Sequence, residues 1–134
     1  MDSTYSIGQL AREFDVTTRA IRFYEGEGLL SPLRRGQTRL FEQRDRTRLK
    51  LILRGKRLGF SLAEIREIVD MYDAPPGEVS QLKLLIEKID ARRTQLLQQR
   101  ADIAVALREL DGVSARCIDR LADLERVTAG EKSA

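Results

Sequence analysis

The sequence has no histidine and no tryptophan, and cysteine occurs once among its 134 residues. Histidine is the commonest general base and a frequent metal ligand, so its absence disfavours hydrolytic chemistry and zinc sites. The sequence also lacks a glycine-rich phosphate loop. We therefore predict that the protein is not an enzyme and holds neither a metal nor a cofactor. The lone Cys117 cannot form an intrachain disulfide, which fits a reducing compartment, and we expect a cytoplasmic protein.

Long apolar runs are also missing, because charged residues interrupt each of them well before the ~18 residues of a membrane span. No segment has the pattern of a signal peptide, so we expect no membrane partner. Hydrophobic residues make up 42% of the chain and charged residues 34%, a composition typical of helical globular proteins. The length predicts one compact domain with an appended helix.

Positive charge is concentrated in residues 34–57. Counted along the sequence, this segment has ten Lys and Arg residues against two Asp and Glu residues, although the whole chain has a net charge of +3. Such a cationic segment beside short helices is the electrostatic pattern of a nucleic-acid-binding protein. We therefore predict that double-stranded DNA is a partner.

Two short amphipathic helices precede this segment. Ser6 and Gln9 form a capping-box pattern at the start of an apolar stripe over residues 7–14. Thr17 is a favourable N-cap for a second helix, which Gly28 closes. Two helices joined by so short a turn are typical of the helix-turn-helix motif.

The residues that follow predict a β-hairpin, or wing, with Gly36 at its tip. A third helix is expected over residues 43–58 and is ended by Gly59, and Ser61 with Glu64 begins a fourth. The predicted fold is all-α with a small β wing: a winged helix-turn-helix head followed by a long coiled-coil dimerisation helix.

The coiled coil is predicted from a heptad pattern that starts with Val79 as its first a position. Every d position from Leu82 onward is apolar, and such a seam must be buried against another helix, so we predict a homodimer. Arg93 and Arg100 occupy a positions and would face themselves in a parallel pair, which favours an antiparallel one. The predicted interface residues are Leu82, Ile86, Ile89, Leu96, Ile103, Leu107 and Leu110.

The Pro-Pro-Gly break at residues 75–77 separates the predicted domains. Gly112 is expected to kink or end the regular part of the long helix. The predicted domains are a DNA-binding head (1–72), a linker (73–77), a coiled-coil dimerisation and effector region (78–127) and a flexible tail (128–134).

Three stretches of the head carry specific motifs: YSIGQLAR at 5–12, VTTRAIRFYE at 16–25 and GLLSP at 28–32. Together they resemble the MerR family of winged-helix transcription regulators, over about residues 5–72. The sequence of residues 34–39 and 44–65 is similar to that of the MerR subgroup that regulates leucine, isovalerate and related branched acyl-CoA catabolism.

The resemblance implies an antiparallel coiled-coil homodimer with two heads on a pseudo-palindromic promoter operator. Such regulators act beside RNA polymerase by bending and untwisting the DNA, and the subgroup implies a small organic effector, with an acyl-CoA as the candidate. The chain departs from the family pattern at Thr38, where an aromatic residue usually precedes the wing arginine. It also begins its third helix with Glu42-Gln43, a poorer cap than the expected Ser-Pro.

The candidate DNA-binding residues lie on the second helix, the wing and the end of the third helix. Arginines on a recognition helix pair bidentately with guanine, at ~1–3 kcal/mol of base discrimination each. For Tyr24 a phosphate contact and a core position are both open, and for the third-helix cations a solvated surface is the alternative. The full set is Thr17, Thr18, Arg19, Arg22, Tyr24, Arg35, Arg39, Arg54, Lys56 and Arg57.

Two other functions stay open at this point. Cys117 falls at a d position, where packing is expected but a thiol-responsive regulator is an alternative. The chain could also be a coiled-coil interaction or assembly protein whose basic head binds acidic proteins.

Overall fold

The computed structural model describes residues 3–73 and 78–133, which form three strands and five helices. The strands are β1 (Thr4–Tyr5), β2 (Leu33–Arg35) and β3 (Thr38–Glu42), and the helices are α1 (Ile7–Phe14), α2 (Thr18–Gly26), α3 (Gln43–Arg57), α4 (Leu62–Asp73) and α5 (Glu78–Ser133). This order confirms the predicted winged helix-turn-helix head with a long helix after it. The chain divides into two compact units, residues 1–89 and 90–134.

The helix-turn-helix forms through the predicted caps. The Ser6 hydroxyl accepts a hydrogen bond from the Gln9 amide at 3.1 Å, and the Gln9 side chain accepts one from the Ser6 amide at 2.7 Å. Thr17 caps α2 by accepting from the amide of Ala20 at 3.0 Å. Between the helices Asp15 takes the left-handed conformation (φ 53°), which Asp tolerates better than most residues. These contacts satisfy backbone donors that the helices leave open.

The wing is the antiparallel β2–β3 hairpin, and Gly36 at its tip has φ 62°, as the tight turn requires. The sequence reasoning missed β1, which completes a three-stranded sheet in the order β1-β3-β2. In this sheet Thr4 pairs with Glu42, and Tyr5 pairs with Phe41. A two-residue strand is too short to show an alternating pattern, so the sequence carried no signal for it.

One hydrophobic core lies between the helices and the sheet. Fully buried side chains come from α1, α2, β3, α3 and α4 and from the segment after α2. The largest are Phe41, Leu10, Ile21, Leu29, Leu30, Leu49, Ile52 and Val69. Because each of these elements supplies apolar residues to the same cluster, packing fixes the position of α2 relative to β3 of the wing.

The start of α3, expected to be poorly capped, is capped by Asp45. Its carboxylate accepts hydrogen bonds from the amide of Glu42 at 3.1 Å and from that of Ser31 at 3.0 Å. Asp45 is 4% exposed. The cap therefore comes from the third residue of the helix and also anchors the chain that leads into the wing.

Arg48 is the second buried charged residue, with 5% of its surface exposed. Its Nε donates to the Leu29 carbonyl at 2.7 Å, and Nη2 donates to Asp70 at 3.1 Å. A longer contact of 3.4 Å joins Nη1 to the Val69 carbonyl. Arg48 thus connects the segment after α2 with α4 through the middle of the head.

Helix α5 is continuous from Glu78 to Ser133. It continues through Gly112, so the expectation that the regular helix ends there was wrong, and the alternative of a kink at Gly112 stays a prediction. A single interior glycine costs about 1 kcal/mol relative to alanine, too little to break a helix of this length. Residues 128–133 are helical, and the flexibility expected for this end stays a prediction. The predicted break at residues 75–77 lies outside the described residues.

Candidate nucleic-acid interface

The exposed face of α2 carries two arginines. Arg19 and Arg22 are both exposed, and Arg22 donates to the Thr18 hydroxyl at 3.5 Å, one turn earlier on the same helix. Within residues 3–73 and 78–133, Arg19 has no ion pair or hydrogen bond through its guanidinium. The face has the donor groups that read guanine in a major groove, and it is open to solvent. Thr17 serves as the N-cap described above, so its hydroxyl already has a structural use.

Tyr24 is 4% exposed and belongs to the hydrophobic core, which favours the core alternative for its ring. A phosphate contact from its hydroxyl stays a prediction. Its neighbour Phe23 is 52% exposed, and the two rings meet edge to face with centroids 5.6 Å apart. An exposed phenylalanine on the face of Arg19 and Arg22 adds an apolar surface for the thymine methyl group, which our residue set did not include.

The wing arginines have different surroundings. Arg35 is exposed, whereas 27% of the Arg39 side chain is exposed and its Nε donates to Glu25 on α2 at 2.6 Å. Arg34 donates to the other oxygen of the same carboxylate at 2.8 Å. The sequence reasoning missed Glu25 and Arg34, because contact between a helix and a hairpin nine or more residues away leaves no pattern in the chain.

At the end of α3, Arg54, Lys56 and Arg57 are all exposed and lie in the last turn. Cations there interact favourably with the helix dipole, by about 0.3–1 kcal/mol at exposed positions. This effect supplies a structural reason for the three cations, so their contact with DNA stays a prediction.

Part of the positive charge of residues 34–57 is used inside the head. Arg46 forms an ion pair with Glu13 of α1, and its guanidinium lies 5.9 Å from the centre of the Tyr5 ring. Hydrogen bonding from Arg46 lowers the pKa of Glu13 below its usual value. The arginines of this segment that form ion pairs within the head include Arg34, Arg39, Arg46 and Arg48. The field available to a ligand is therefore weaker than the local charge count suggests.

The predicted dimer seam is exposed along α5. Its side chains range from 44% exposure at Leu96 to 64% at Leu110. The seven predicted residues are all exposed in the single chain: Leu82, Ile86, Ile89, Leu96, Ile103, Leu107 and Leu110. An exposed apolar row of this length is typical of a protein-interaction surface, and the dimer seam itself stays a prediction.

The described ranges also bear on metal, thiol and membrane-spanning features. Residues 3–73 and 78–133 contain no cluster of three or more metal-ligating side chains. Cys117 is exposed in the single chain. None of the helices in these ranges has the length and apolar character needed to cross a membrane.

Comparison with known proteins identifies the family. The profile of the MerR HTH family of regulatory proteins matches residues 5–72, and the MerR DNA-binding profile matches residues 46–113. The HTH-type transcriptional regulator CueR of Escherichia coli O6:H1 is 30% identical over 105 residues, covering 69% of this chain and 78% of the relative. The regulator ZntR of Escherichia coli K12 is 33% identical over 99 residues, covering 69% and 70%.

A crystal structure of a MerR family transcriptional regulator from Bacillus cereus is similar with a TM-score of 0.67 and 31% identity, covering 81% of this chain and 78% of that one. These relatives bear the names of transcriptional regulators, which is consistent with a protein that is not an enzyme. The chain belongs to the MerR family of helix-turn-helix, DNA-binding transcriptional regulators.

Proposed function

We propose that the protein is a homodimeric regulator that binds a pseudo-palindromic promoter operator in a sequence-specific manner. The observation that carries the proposal is the open cationic face of α2, where Arg19 and Arg22 are exposed beside Phe23. Arginine is the side chain that most often reads guanine, and α2 is the second helix of a helix-turn-helix motif, which enters the major groove.

In this proposal the three groups of cations have separate tasks. Thr18, Arg19 and Arg22 contact base edges, while Arg35 and Arg39 of the wing and the cations at the end of α3 contact phosphates. Phosphate contacts fix the register of a protein on DNA but do not read its sequence. The head is assigned to residues 1–72, the linker to 73–77 and the dimerisation and effector region to 78–127.

The proposed dimer forms through the exposed seam of α5. Arg93 and Arg100 lie at a positions, next to a row of d positions that are all apolar. A parallel pair would place each of them against its own copy, whereas an antiparallel pair separates them. The proposal for an antiparallel coiled coil therefore rests on charge as well as on family membership.

Family membership also supports a mechanism in which the dimer acts beside RNA polymerase by bending and untwisting the promoter. The effector is proposed to be a small organic molecule, with branched acyl-CoA thioesters as the first candidates because of the similarity of residues 34–39 and 44–65 to that subgroup. Thermal-shift measurements with short branched acyl-CoAs test this. If none of these compounds stabilises the protein, the subgroup assignment fails and the DNA-binding proposal remains intact.

The central experiment compares specific with non-specific DNA binding. Arg19→Ala and Arg22→Ala should each weaken binding to the operator upstream of the gene more than binding to unrelated duplex, by about 1–3 kcal/mol of specificity. Arg35→Ala is the matched control, since loss of a phosphate contact weakens both complexes alike. Equal losses on both DNAs for Arg19→Ala and Arg22→Ala would contradict base reading by α2.

A thiol-responsive regulator is the second candidate, and it rests on the exposure of Cys117. In the proposed dimer this residue lies at a d position and is covered. A Cys117→Ser variant whose DNA binding no longer changes under oxidation would favour the thiol function. If Cys117→Ser responds to oxidation as the parent protein does, a packing role for Cys117 is favoured.

A further inference from the structure

We propose that Glu25 is a positioning residue for DNA binding, which holds the wing against the recognition helix through Arg34 and Arg39. The inference rests on the proposed contact between the wing arginines and phosphates. It assigns a task to an acidic residue beside a surface that binds a polyanion, where simple electrostatics would disfavour one.

Glu25 lies in the last turn of α2, and 14% of its side chain is exposed. Its Oε1 accepts a hydrogen bond from Arg34 Nη2 at 2.8 Å, and its Oε2 accepts one from Arg39 Nε at 2.6 Å. Arg34 and Arg39 are direct partners in the register of β2 and β3. One carboxylate therefore binds both strands of the wing at the paired positions Arg34 and Arg39.

The position of Glu25 is not explained by helix stability. A negative side chain near the C-terminal end of a helix opposes the helix dipole, and no basic residue lies in the last turn of α2 to compensate. Two positive side chains placed directly opposite each other on antiparallel strands also repel. The Glu25 carboxylate between Arg34 and Arg39 relieves both problems, so its partners are the reason for its place.

The geometry leaves Arg39 able to bind DNA. A guanidinium has five N–H donors, and Arg39 uses its Nε for Glu25. The terminal nitrogens of Arg39 can then face a phosphate. A side chain that is already ordered loses less conformational entropy when it binds. Glu25 therefore raises affinity for DNA by ordering the wing, although it adds a negative charge.

The predicted loss of DNA affinity on removal of a negative charge can be tested with a matched control. Glu25→Gln and Glu27→Gln remove the same charge from residues two apart, and Glu27 is 3.9 Å from its nearest cation, Arg66. Binding to a labelled mixed-sequence duplex would be measured by fluorescence anisotropy over a range of salt concentrations. We expect Glu27→Gln to bind as tightly as the parent or more tightly. We expect Glu25→Gln to bind roughly tenfold more weakly, with a shallower salt dependence.

Two further variants identify the route of the effect. In an Arg34→Gln/Arg39→Gln background, Glu25→Gln should cause no additional loss, because the groups through which it acts are gone. Glu25→Asp keeps the charge but is shorter by one methylene, so we expect an intermediate affinity. If circular dichroism shows that Glu25→Gln is unfolded, Glu25→Asp can replace it in the binding measurement, because it preserves the ion pairs in part.

The outcomes separate this inference from the proposed function. Tighter binding by Glu25→Gln, or the same loss in the Arg34→Gln/Arg39→Gln background, would overturn the positioning role. If Arg39→Gln alone leaves affinity and salt dependence unchanged, the proposed phosphate contact of the wing fails instead. Weaker binding by Arg39→Gln together with tighter binding by Glu25→Gln overturns the positioning role and keeps the phosphate contact.

Discussion

Replacing Arg48 by methionine should destabilise the head strongly, because it removes a buried guanidinium and keeps most of the apolar stem. Two of the Arg48 hydrogen bonds have good geometry, at 2.7 Å to the Leu29 carbonyl and 3.1 Å to Asp70. A longer one to the Val69 carbonyl, at 3.4 Å, contributes little. The substitution leaves the buried Leu29 carbonyl without its charged donor.

The size of the destabilisation depends on whether each former partner of Arg48 can bind water instead. A buried acceptor without a donor costs about 1–3 kcal/mol, whereas Asp70, whose side chain is 58% exposed, returns to water. We therefore expect a loss of about 2–3 kcal/mol in the free energy of unfolding, less than the full cost of breaking a wholly buried pair. Since native domains are stable by about 5–15 kcal/mol, this is a large fraction.

The assay is urea unfolding followed by circular dichroism at one fixed protein concentration, with Asp70→Asn as the control. Asp70→Asn removes the same ion pair from its exposed side and should cost less than about 1 kcal/mol. A common urea midpoint for Arg48→Met and Asp70→Asn would show that the buried carbonyl contact contributes nothing, and would refute the reasoning.

Four other substitutions test separate parts of the structure. Gly55→Ala would place a Cβ 2.9 Å from the side chain of Ile65 and should lower the midpoint of unfolding. Gly112 lies at an f position of α5 with nothing rigid nearby, so Gly112→Ala should raise the midpoint. Arg46 lowers the pKa of Glu13 in the folded protein. The stability that Glu13 contributes is therefore present above its pKa in the unfolded chain and is lost as pH falls through its pKa in the folded protein. Glu13→Gln should weaken the dependence of the free energy of unfolding on acid, measured between about pH 6 and 2. Ile103→Asp should yield a monomer by sedimentation, and a persistent dimer would contradict the seam.

Local signals in the sequence were enough to place the helices of the head. Caps such as Ser6 with Gln9 act within four residues, so the pattern that predicts them is also the contact that forms them. The long helix α5 belongs to the same class, because the spacing of its apolar residues is itself a helical period. The wing was found from Gly36 for the same reason.

The contacts that the sequence did not reveal join residues distant along the chain. Arg48 and Asp70 are 22 residues apart, and Arg46 and Glu13 are 33 apart. In the sequence Arg46 and Arg48 look like any other member of a basic segment. Their partners are known only once α3 lies against α1 and α4, because an isolated arginine carries no sign of the acid or carbonyl it will meet.

The basic segment 34–57 therefore serves two purposes that composition cannot separate. Arg46 and Arg48 hold α3 to its neighbours, and Arg34 and Arg39 hold the wing to α2 through Glu25. Structural use of these arginines reduces the number of free cations, yet it fixes the geometry in which Arg35 and the α2 arginines are presented. Binding to regularly spaced phosphates rewards fixed geometry as well as charge, so a head with fewer but ordered cations suits a regulator that must select one register on the duplex.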